Sequence, residues 1–381
     1  MASRKKIVFP YYNSYFTSTA IIIYQTNVLK SLNLLPDQQK PHIYIWHNHQ
    51  SPLEEIKKIQ YPYICFINIK SVPFRLKKLL SVIVDKLGLS AKILFNTQFD
   101  AVFPAYQDSF LLGIKKRLYW KADFQENYFP DYFLEKELVW VKQFFKHLSQ
   151  DKNGILVLSS YDAYHDFKTF YPEVQNEVQL FRFVSHLQYD ESFDLDKTLQ
   201  KFNIRTKKYF IVCNQYWPHK NHIVILKAIG ALKEKTPELG FQVVFTGKTS
   251  SVRGSKYFDE LNNFITDHNL TGDIVITGFL DREEQVGLMK HSIAIIQPTL
   301  FEGWSTVIED GKALNKYIVA SDINVNKEQV SDNVRFFNPH DPVSLGNILE
   351  QLTVQPIKEK QVDYAVNITS SVNDLKNIFG L

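Results

Sequence analysis

Residues 301–310 read Phe-Glu-Gly-Trp-Ser-Thr-Val-Ile-Glu-Asp and follow an apolar run, 293–299, that is typical of a buried strand. The segment places Glu302 just before a predicted helix and places Glu309 and Asp310 inside its first turns. Backbone N–H groups and the positive end of the helix dipole favour an anion at such a helix start. Carboxylates accept hydrogen bonds from sugar or ribose hydroxyls. The segment therefore predicts a site for a sugar held beside a diphosphate.

A purely structural interpretation fits the same residues. Thr306 and Glu309 have the spacing of a capping box, in which each side chain bonds the backbone of the other, and Asp310 complements the helix dipole. The two interpretations are compatible, because such a cap uses Glu309 and leaves Glu302 and Asp310 free.

Short β-branched and aromatic runs alternate with helical patterns along the chain, as an α/β doubly wound protein requires. Six such runs in each half predict two Rossmann-like domains, 1–190 and 207–360, followed by a terminal helix within 361–381. The polar segment 188–206 is interpreted as the linker between them. The predicted strands are 7–10, 42–46, 63–67, 92–95, 117–120 and 155–159, then 209–213, 242–246, 273–277, 293–297, 317–320 and 334–337.

Composition agrees with this architecture and excludes other classes. A chain of 381 residues is too long for one hydrophobic core, and 45% hydrophobic with 22% charged residues is the balance of an ordinary folded protein. A net charge of +4 does not indicate a nucleic-acid partner. Residues 7–10 are too short for the core of a signal peptide, which predicts a cytoplasmic protein. Cys65 and Cys213 lie in apolar runs, which favours reduced core thiols.

Glu302 and Asp310, with seven residues between them at a strand-to-helix junction, resemble the paired acids of retaining GT-B glycosyltransferases of the family-4 type. In that family the second acid is more often Glu than Asp. The resemblance covers about 209–322 well and the preceding residues weakly. It implies a GT-B fold, in which two Rossmann-like domains with parallel sheets face each other across a cleft. It also implies that the helix in 361–381 crosses back to the first domain.

The loop after the predicted strand 209–213 carries Lys220 at a helix start, a suitable place for an ammonium that neutralises a diphosphate. Family-4 enzymes have an Arg and a Lys five residues apart in this loop, and both hold the leaving diphosphate. Lys220 matches the Lys, whereas Gln215 stands where the Arg is usual. Either His219 or Lys248 then provides a second cation, or stabilisation of the transition state is weaker in this chain. A solvent-exposed lysine is the structural alternative for Lys220.

Further loop residues complete the predicted donor site. The resemblance implies that Phe279, at the end of a predicted strand, packs against the nucleobase. Thr299 lies just upstream of Glu302, where its hydroxyl is expected near a phosphate. Ordinary turn chemistry is the alternative for both. The predicted donor-binding residues at the helix start are Gly303, Trp304, Ser305 and Thr306.

The first half is expected to bind the acceptor. Residues 11–19 occupy the place of a Gly-Gly turn found in many relatives but contain no glycine. Residues 120–127 are similar to a segment of some bacterial relatives in which a His contacts the donor sugar, and Glu126 stands at that position. Residues 159–167 resemble the segment that closes the first domain, and their alternative is a helix N-cap at Ser160 or Asp162.

Several other patterns are rejected as sites. The pair His47 and His49 has no Cys or carboxylate nearby at zinc-like spacing and is interpreted as a loop pair. Asp194 and Asp196 are interpreted as solvated acids of the linker. Because the chain has no G-x-G-x-x-G after a strand and no P-loop, a nicotinamide dehydrogenase or a nucleotide phosphatase is not favoured.

Residues 75–89 form a basic amphipathic pattern. Such a segment is typical of a helix lying on an anionic membrane surface, and a core helix with a charged outer face is the alternative.

The predicted function is transfer of a sugar from a nucleotide-sugar donor to a glycan or lipid-linked acceptor. The resemblance implies retention of anomeric configuration without a metal or other cofactor. The candidate catalytic residues are Glu302, Lys220 and Glu126. A degenerate GT-B protein that binds a sugar nucleotide or a partner enzyme without turnover is the first alternative, and a GT-B epimerase or phosphorylase is the second.

Overall fold

The protein is described by a computed structural model, which covers residues 4–11, 19–49, 51, 53–71, 76, 99–105, 114–187, 189–249, 255–355 and 357–381. The chain divides into two compact units. Unit 1 contains Met1–Val184 and Ala365–Leu381, and unit 2 contains Ser185–Tyr364. In the described part of the chain, no helix is both long and apolar enough to cross a bilayer.

Unit 1 is built on a seven-stranded sheet with the order β3-β2-β1-β4-β5-β6-β7, and all of its strand pairs are parallel. The prediction of six strands for unit 1 was wrong, because it did not include β4 and β7. The predicted strand 92–95 lies outside the described residues. The strands are β1 (Lys6–Pro10), β2 (His42–His47), β3 (Ile64–Asn68), β4 (Ala101–Ala105), β5 (Lys116–Lys121), β6 (Gly154–Leu158) and β7 (Val178–Leu180).

The strand β4 escaped prediction because it contains Pro104, and proline is normally excluded from central strands. In the structure β4 pairs with both β1 and β5, and the pairing with β5 shifts register between Val102 and Ala105, on either side of the proline. This irregularity accommodates the residue that has no N–H to donate.

The helices of unit 1 include the last helix of the chain. Phe379 of that helix packs against Phe9 and Phe103, with ring centroids 6.3 and 5.9 Å away. Aromatic contacts at these distances stabilise the core beyond their buried area. The helices are α1 (Thr19–Asn33), α2 (Glu54–Lys57), α3 (Gln125–Tyr128), α4 (Glu135–Gln150), α5 (Tyr161–Phe170) and, at the carboxyl terminus, α13 (Ala365–Phe379).

The prediction that both cysteines are core thiols was half wrong. Cys213 is buried, but Cys65 is exposed. The strand that carries Cys65, β3, is the edge strand of its sheet, and its neighbour Phe66 is also 37% exposed. An apolar run in a sequence does not distinguish an edge strand from a central one.

A buried ion pair lies at the amino-terminal edge of the unit 1 sheet. Arg117 Nε donates to Asp151 Oδ2 at 2.5 Å, and the Tyr119 hydroxyl donates to the same oxygen at 2.9 Å. Burial alone would raise the pKa of Asp151, but the hydrogen bonds from Arg117 and Tyr119 outweigh it and hold this pKa below its usual range. The pair therefore depends on both charges being present.

We expect Asp151→Asn to lower the free energy of unfolding by about 3–5 kcal/mol, because it leaves the Arg117 guanidinium buried without a counter-charge. Urea denaturation at pH 7 measures the loss. The matched control is Asp37→Asn, which removes a carboxylate that is 62% exposed and paired with Arg4, and which should cost much less. Equal losses in the two variants would contradict this account of the pair.

Unit 2 contains the six predicted strands, in the order β10-β9-β8-β11-β12-β13 with all pairs parallel. This is the 3-2-1-4-5-6 arrangement of a Rossmann fold. The strands are β8 (Tyr209–Cys213), β9 (Gln242–Thr246), β10 (Ile274–Gly278), β11 (Ile295–Gln297), β12 (Ile318–Ser321) and β13 (Val334–Phe337).

The helices of unit 2 include one within 188–206, the segment interpreted as a linker. A short helix begins there after Asp194, whose side chain caps the N–H of Lys197, and its Leu199 is buried in the same cluster as Tyr209 and Leu288. Only one face of this helix is apolar, so the segment looks polar in sequence. The helices are α6 (Leu195–Lys201), α7 (His222–Lys235), α8 (Ser255–Asp267), α9 (Arg282–His291), α10 (Thr306–Ala313), α11 (Asn324–Gln329) and α12 (Pro342–Val354).

Candidate functional site

The strand order of unit 2 reverses between β8 and β11, its first and fourth strands. In open α/β sheets, ligands bind beyond the carboxyl ends of the strands at such a switch point. The loops that leave these two strands are 214–221 and 298–305. They contain Lys220 and Glu302, so the fold brings the two main predicted residues to the expected ligand position.

Direct hydrogen bonds join these two loops. Leu300 N–H donates to the carbonyl of His219 at 2.7 Å, and the Asn221 side-chain amide donates to the carbonyl of Pro298 at 3.1 Å. Asn221 has φ +54°, a left-handed conformation that asparagine tolerates and that separates the turn Pro218–Lys220 from α7. The loops are therefore fixed relative to each other before any ligand arrives.

Lys220 and Glu302 form an ion pair at the centre of this region. The Nζ of Lys220 lies 2.5 Å from Oε1 of Glu302, and Gln297 Nε2 donates to the same oxygen at 2.7 Å. The side chains are only 16% and 11% exposed. The sequence predicted both residues but not their direct contact, and it missed Gln297.

Thr299 is buried, and its hydroxyl lies 2.7 Å from the carbonyl of Phe301 and 3.1 Å from that of His219. It holds the loop next to Glu302, and contact with a phosphate remains a prediction. Gln215 is half-buried in the loop after β8.

The loop that follows β9 packs closely, at Gly247, against the loop that follows β8. A Cβ on Gly247 would lie 2.3 Å from the carbonyl oxygen of Asn214, so a side chain there would displace the loop after β8. Beyond Gly247, the ammonium of Lys248 lies 5.3 Å from the ring centroid of Phe279, which is 60% exposed. Lys248 thus forms a cation–π contact with the aromatic residue that was predicted to pack against a base.

The predicted capping box at the start of α10 was wrong. Ser305, and not Thr306, is the N-cap, and its hydroxyl accepts from the N–H of Ile308 at 3.3 Å. Glu309 turns into the interior, where it is 1% exposed and accepts from Gln329 at 3.1 Å and from Lys312 at 2.8 Å. The remaining residues of this helix start are Gly303, which is buried, and Trp304 and Thr306, which are half-buried.

Asp310, the second acid of the motif, is held by protein groups. Arg282 donates to both of its oxygens at 2.7 and 2.6 Å, and the Ser185 hydroxyl donates to Oδ1 at 2.6 Å. Asp310 is 3% exposed. Arg282 was not predicted, and its only signal in the sequence is its place at the start of α9, three residues after Phe279. A ribose contact by Asp310 remains a prediction, and it requires the carboxylate to be shared with these donors.

In unit 1, Glu126 is buried and pairs with Lys121, 2.9 Å away. Nearby, the Tyr128 hydroxyl donates to Asp166 at 2.5 Å, and burial raises the pKa of Asp166 to about 6 against the lowering effect of this hydrogen bond. Ser160 caps α5 through the N–H of Ala163 at 3.0 Å, which confirms one of the two predicted caps.

Other predicted features are only partly visible. Within the loop 11–19, residues 12–18 lie outside the described residues, as does all of the basic segment 75–89 except Leu76. In the described part of the chain, no group of three or more His, Cys, Asp or Glu side chains is arranged to hold a metal ion.

Residues 194–367, nearly all of unit 2 and the start of α13, match the family described as Glycosyl transferases group 1. The match includes the Lys220–Glu302 pair and every strand of the second sheet. No curated protein matches the chain in sequence.

The structure as a whole is similar to solved GT-B glycosyltransferases, which confirms the predicted fold class of two Rossmann-like domains. HepE from Anabaena, solved with UDP and glucose, has a TM-score of 0.65 at 13% identity, with 99% of this chain and 94% of that chain covered. Sucrose-phosphate synthase from Thermosynechococcus elongatus has a TM-score of 0.64 at 12% identity, covering 99% and 95%. WaaG, a glycosyltransferase involved in lipopolysaccharide biosynthesis, has a TM-score of 0.59 at 11% identity, covering 98% and 95%.

His222, the first residue of α7, lies beneath the loop that carries Lys220. Its ring is fully buried among Tyr216, Phe245 and Tyr257. Burial, with a smaller contribution from the charge of Lys220, lowers the pKa of His222 to about 3. The folded protein therefore keeps this histidine neutral, whereas the unfolded chain protonates it below pH 6.5.

We expect wild type to lose about 2 kcal/mol more of its free energy of unfolding than His222→Phe when the pH falls from 7 to 5, because only the unfolded wild-type chain takes up this proton. Urea denaturation at several pH values measures the difference. The exchange of exposed His340 for Phe is the control and should keep the wild-type pH dependence. Parallel pH profiles for wild type and His222→Phe would show that His222 is not the responsible group.

Proposed function

We propose that this protein is a retaining, metal-independent glycosyltransferase that moves a sugar from a nucleotide-sugar donor to a glycan or lipid-linked acceptor. The observation that carries the proposal is the Lys220–Glu302 pair at the switch point of the second sheet, 2.5 Å apart and largely shielded from water. Its position within the part of the chain that matches glycosyl transferases group 1 supports the same assignment.

The donor is proposed to bind along the carboxyl edge of the second sheet. Its diphosphate lies near Lys220 and the backbone N–H groups at the start of α10, since both favour negative charge. Its sugar hydroxyls donate to Glu302, its base stacks on exposed Phe279, and its ribose reaches Asp310. A UDP-sugar is the first candidate donor, because HepE was solved with UDP-glucose and shares this fold.

Catalysis is proposed to rest on charge and orientation. As the bond from the anomeric carbon to the diphosphate lengthens, negative charge accumulates on the departing oxygen, and Lys220 stabilises it. Glu302 fixes the sugar in the orientation for attack by the acceptor on the same face, while the departing phosphate oxygen takes the acceptor proton. The ammonium of Lys220 and the helix-start N–H groups then stabilise the departing phosphate, as a metal ion does in other transferases.

The acceptor is assigned to unit 1, where Glu126 is the candidate polar contact to the sugar. A lipid-linked acceptor at the cytoplasmic face of a membrane fits the basic segment 75–89, and WaaG provides a precedent for this fold in polysaccharide biosynthesis. The alternative, a sugar-nucleotide-binding protein without turnover, is favoured by Gln215 in the place of a cation and by the pairing of Glu126 with Lys121.

We expect Lys220→Ala and Glu302→Ala each to lower the rate of sugar transfer by about two to three orders of magnitude, since each removes a charge that acts at the reacting centre. The assay measures release of the nucleotide from a panel of UDP-, GDP-, ADP- and CMP-sugars with glycan and lipid-linked acceptors. The matched controls are Lys256→Ala and Glu260→Ala, an exposed pair on α8 that should leave the rate unchanged. Full activity in both site variants would refute the assignment, and donor binding without turnover in wild type would favour the non-catalytic alternative.

We expect the transfer rate to be unchanged by EDTA, because the proposed stabilising charges belong to the protein. We also expect the product to keep the anomeric configuration of the donor. Proton NMR of the product determines the configuration directly, because the new glycosidic bond does not mutarotate. Loss of activity in EDTA that added Mg²⁺ or Mn²⁺ restores would contradict the metal-independent scheme, and an inverted product would contradict retention.

A further inference from the structure

The two oxygens of the Glu302 carboxylate have different environments. Oε1 lies 2.5 Å from Lys220 Nζ and 2.7 Å from Gln297 Nε2. Among the described residues, none donates a hydrogen bond to Oε2. A carboxylate oxygen that accepts no hydrogen bond from these protein groups can accept one from a ligand.

The donor Gln297 is itself held by a second amide. Gln297 ends β11 and is completely buried, and its Oε1 accepts from Asn214 Nδ2 at 3.0 Å. Asn214 directly follows β8 and is 5% exposed. The two amides therefore span the pair of strands between which the sheet order reverses.

This arrangement fixes which end of the Gln297 amide faces Glu302. If the amide turned over, its oxygen would face the Glu302 carboxylate and its NH₂ group would face the NH₂ group of Asn214. Both contacts would then be repulsive, and buried polar groups would lose their partners, which is costly. Asn214 thus ensures that Gln297 presents a donor to Glu302.

We infer that Gln297 is a positioning residue for the donor sugar, held in orientation by Asn214, and that it keeps Oε2 of Glu302 turned toward the sugar hydroxyls. The inference rests on the proposed function of the site. The two groups that donate to Oε1, Lys220 and Gln297, then have separate tasks. When a diphosphate arrives, Lys220 turns to it, and Gln297 alone keeps Glu302 in place.

We expect a loss of binding affinity that is large only when the nucleotide carries its sugar. Gln297→Leu should weaken binding of the nucleotide-sugar about tenfold, the size expected for one hydrogen bond to a charged group, and should change binding of the matching free nucleotide less than twofold. Calorimetry measures both, using the sugar nucleotide that stabilises wild type most among UDP-glucose, GDP-mannose, ADP-glucose and CMP-sialic acid. Gln297→Glu, which keeps the shape but replaces the donor with an acceptor, should lose at least as much.

Two further variants separate positioning from stability. Gln242→Leu removes another buried glutamine of the same sheet, at the amino end of β9, where it bonds Gly272 and Arg205 at 3.0 and 2.7 Å. It should cost stability without changing the affinity for the nucleotide-sugar. The double variant Asn214→Leu/Gln297→Leu leaves no unpaired amide between the two strands and tests the prediction if Gln297→Leu folds poorly.

Equal weakening of nucleotide and nucleotide-sugar binding by Gln297→Leu, or no weakening of either, would overturn the role of Gln297 and leave the proposed function in place. If wild type binds none of the four sugar nucleotides and transfers no sugar, the proposed function fails, and the inference fails with it.

Discussion

The contact between Lys220 and Glu302 is the constraint on which the rest of the site depends. A carboxylate and an ammonium that are both largely shielded from water stabilise each other. Either charge alone would be destabilising there, because its removal from water costs free energy that the partner charge offsets. The surrounding structure maintains the contact. Leu300 and Asn221 join the two loops, and Gln297 gives the carboxylate a second donor that does not depend on the lysine.

Under the proposed function, the same ion pair serves two ligand groups, the diphosphate and the sugar. An incoming diphosphate competes with Glu302 for the ammonium of Lys220, so anion binding releases the glutamate toward its remaining donor. The empty pair carries no net charge, whereas a bound diphosphate adds negative charge that Lys220 and the N–H groups at the start of α10 compensate only in part.

The parts of the site that the sequence predicted are those encoded locally. Glu302, Asp310 and Lys220 were predicted from their spacing within one strand-to-helix junction or one loop. Gln297 and Asn214 were not found, because their contact joins residues 83 positions apart and an amide at a strand end carries no signal of its own. Arg282 was missed for the same reason. The environment of Glu309 was misjudged because the capping box considers only neighbours along the helix, whereas its partners Gln329 and Tyr364 come from elsewhere in the unit.

The strands were also predicted where local sequence is enough to recognise them and missed where it is not. Apolar runs predicted all six strands of the second sheet, of which β9, β8, β11 and β12 are central. The errors in unit 1 fall where tertiary context changes the meaning of a pattern: a proline within β4, and a cysteine on the edge strand β3. The helix α6 was hidden in a polar segment because it needs only one buried face, provided by Leu199, to pack on its unit.

The bonds made by α10 to the ends of unit 2 determine where this unit can be cut from the chain. Ser185, its first residue, donates to Asp310, and Tyr364, its last, donates to Glu309 and accepts from the backbone of Ser185 at 2.9 Å. An excised fragment spanning 207–360 would lose the Ser185 hydroxyl from Asp310 and the Tyr364 hydroxyl from Glu309, although Arg282 and Lys312 would still pair with these two acids. A fragment spanning 185–364 retains the hydrogen bonds of Ser185 and Tyr364. It is therefore the better fragment for ligand-binding measurements on the isolated unit.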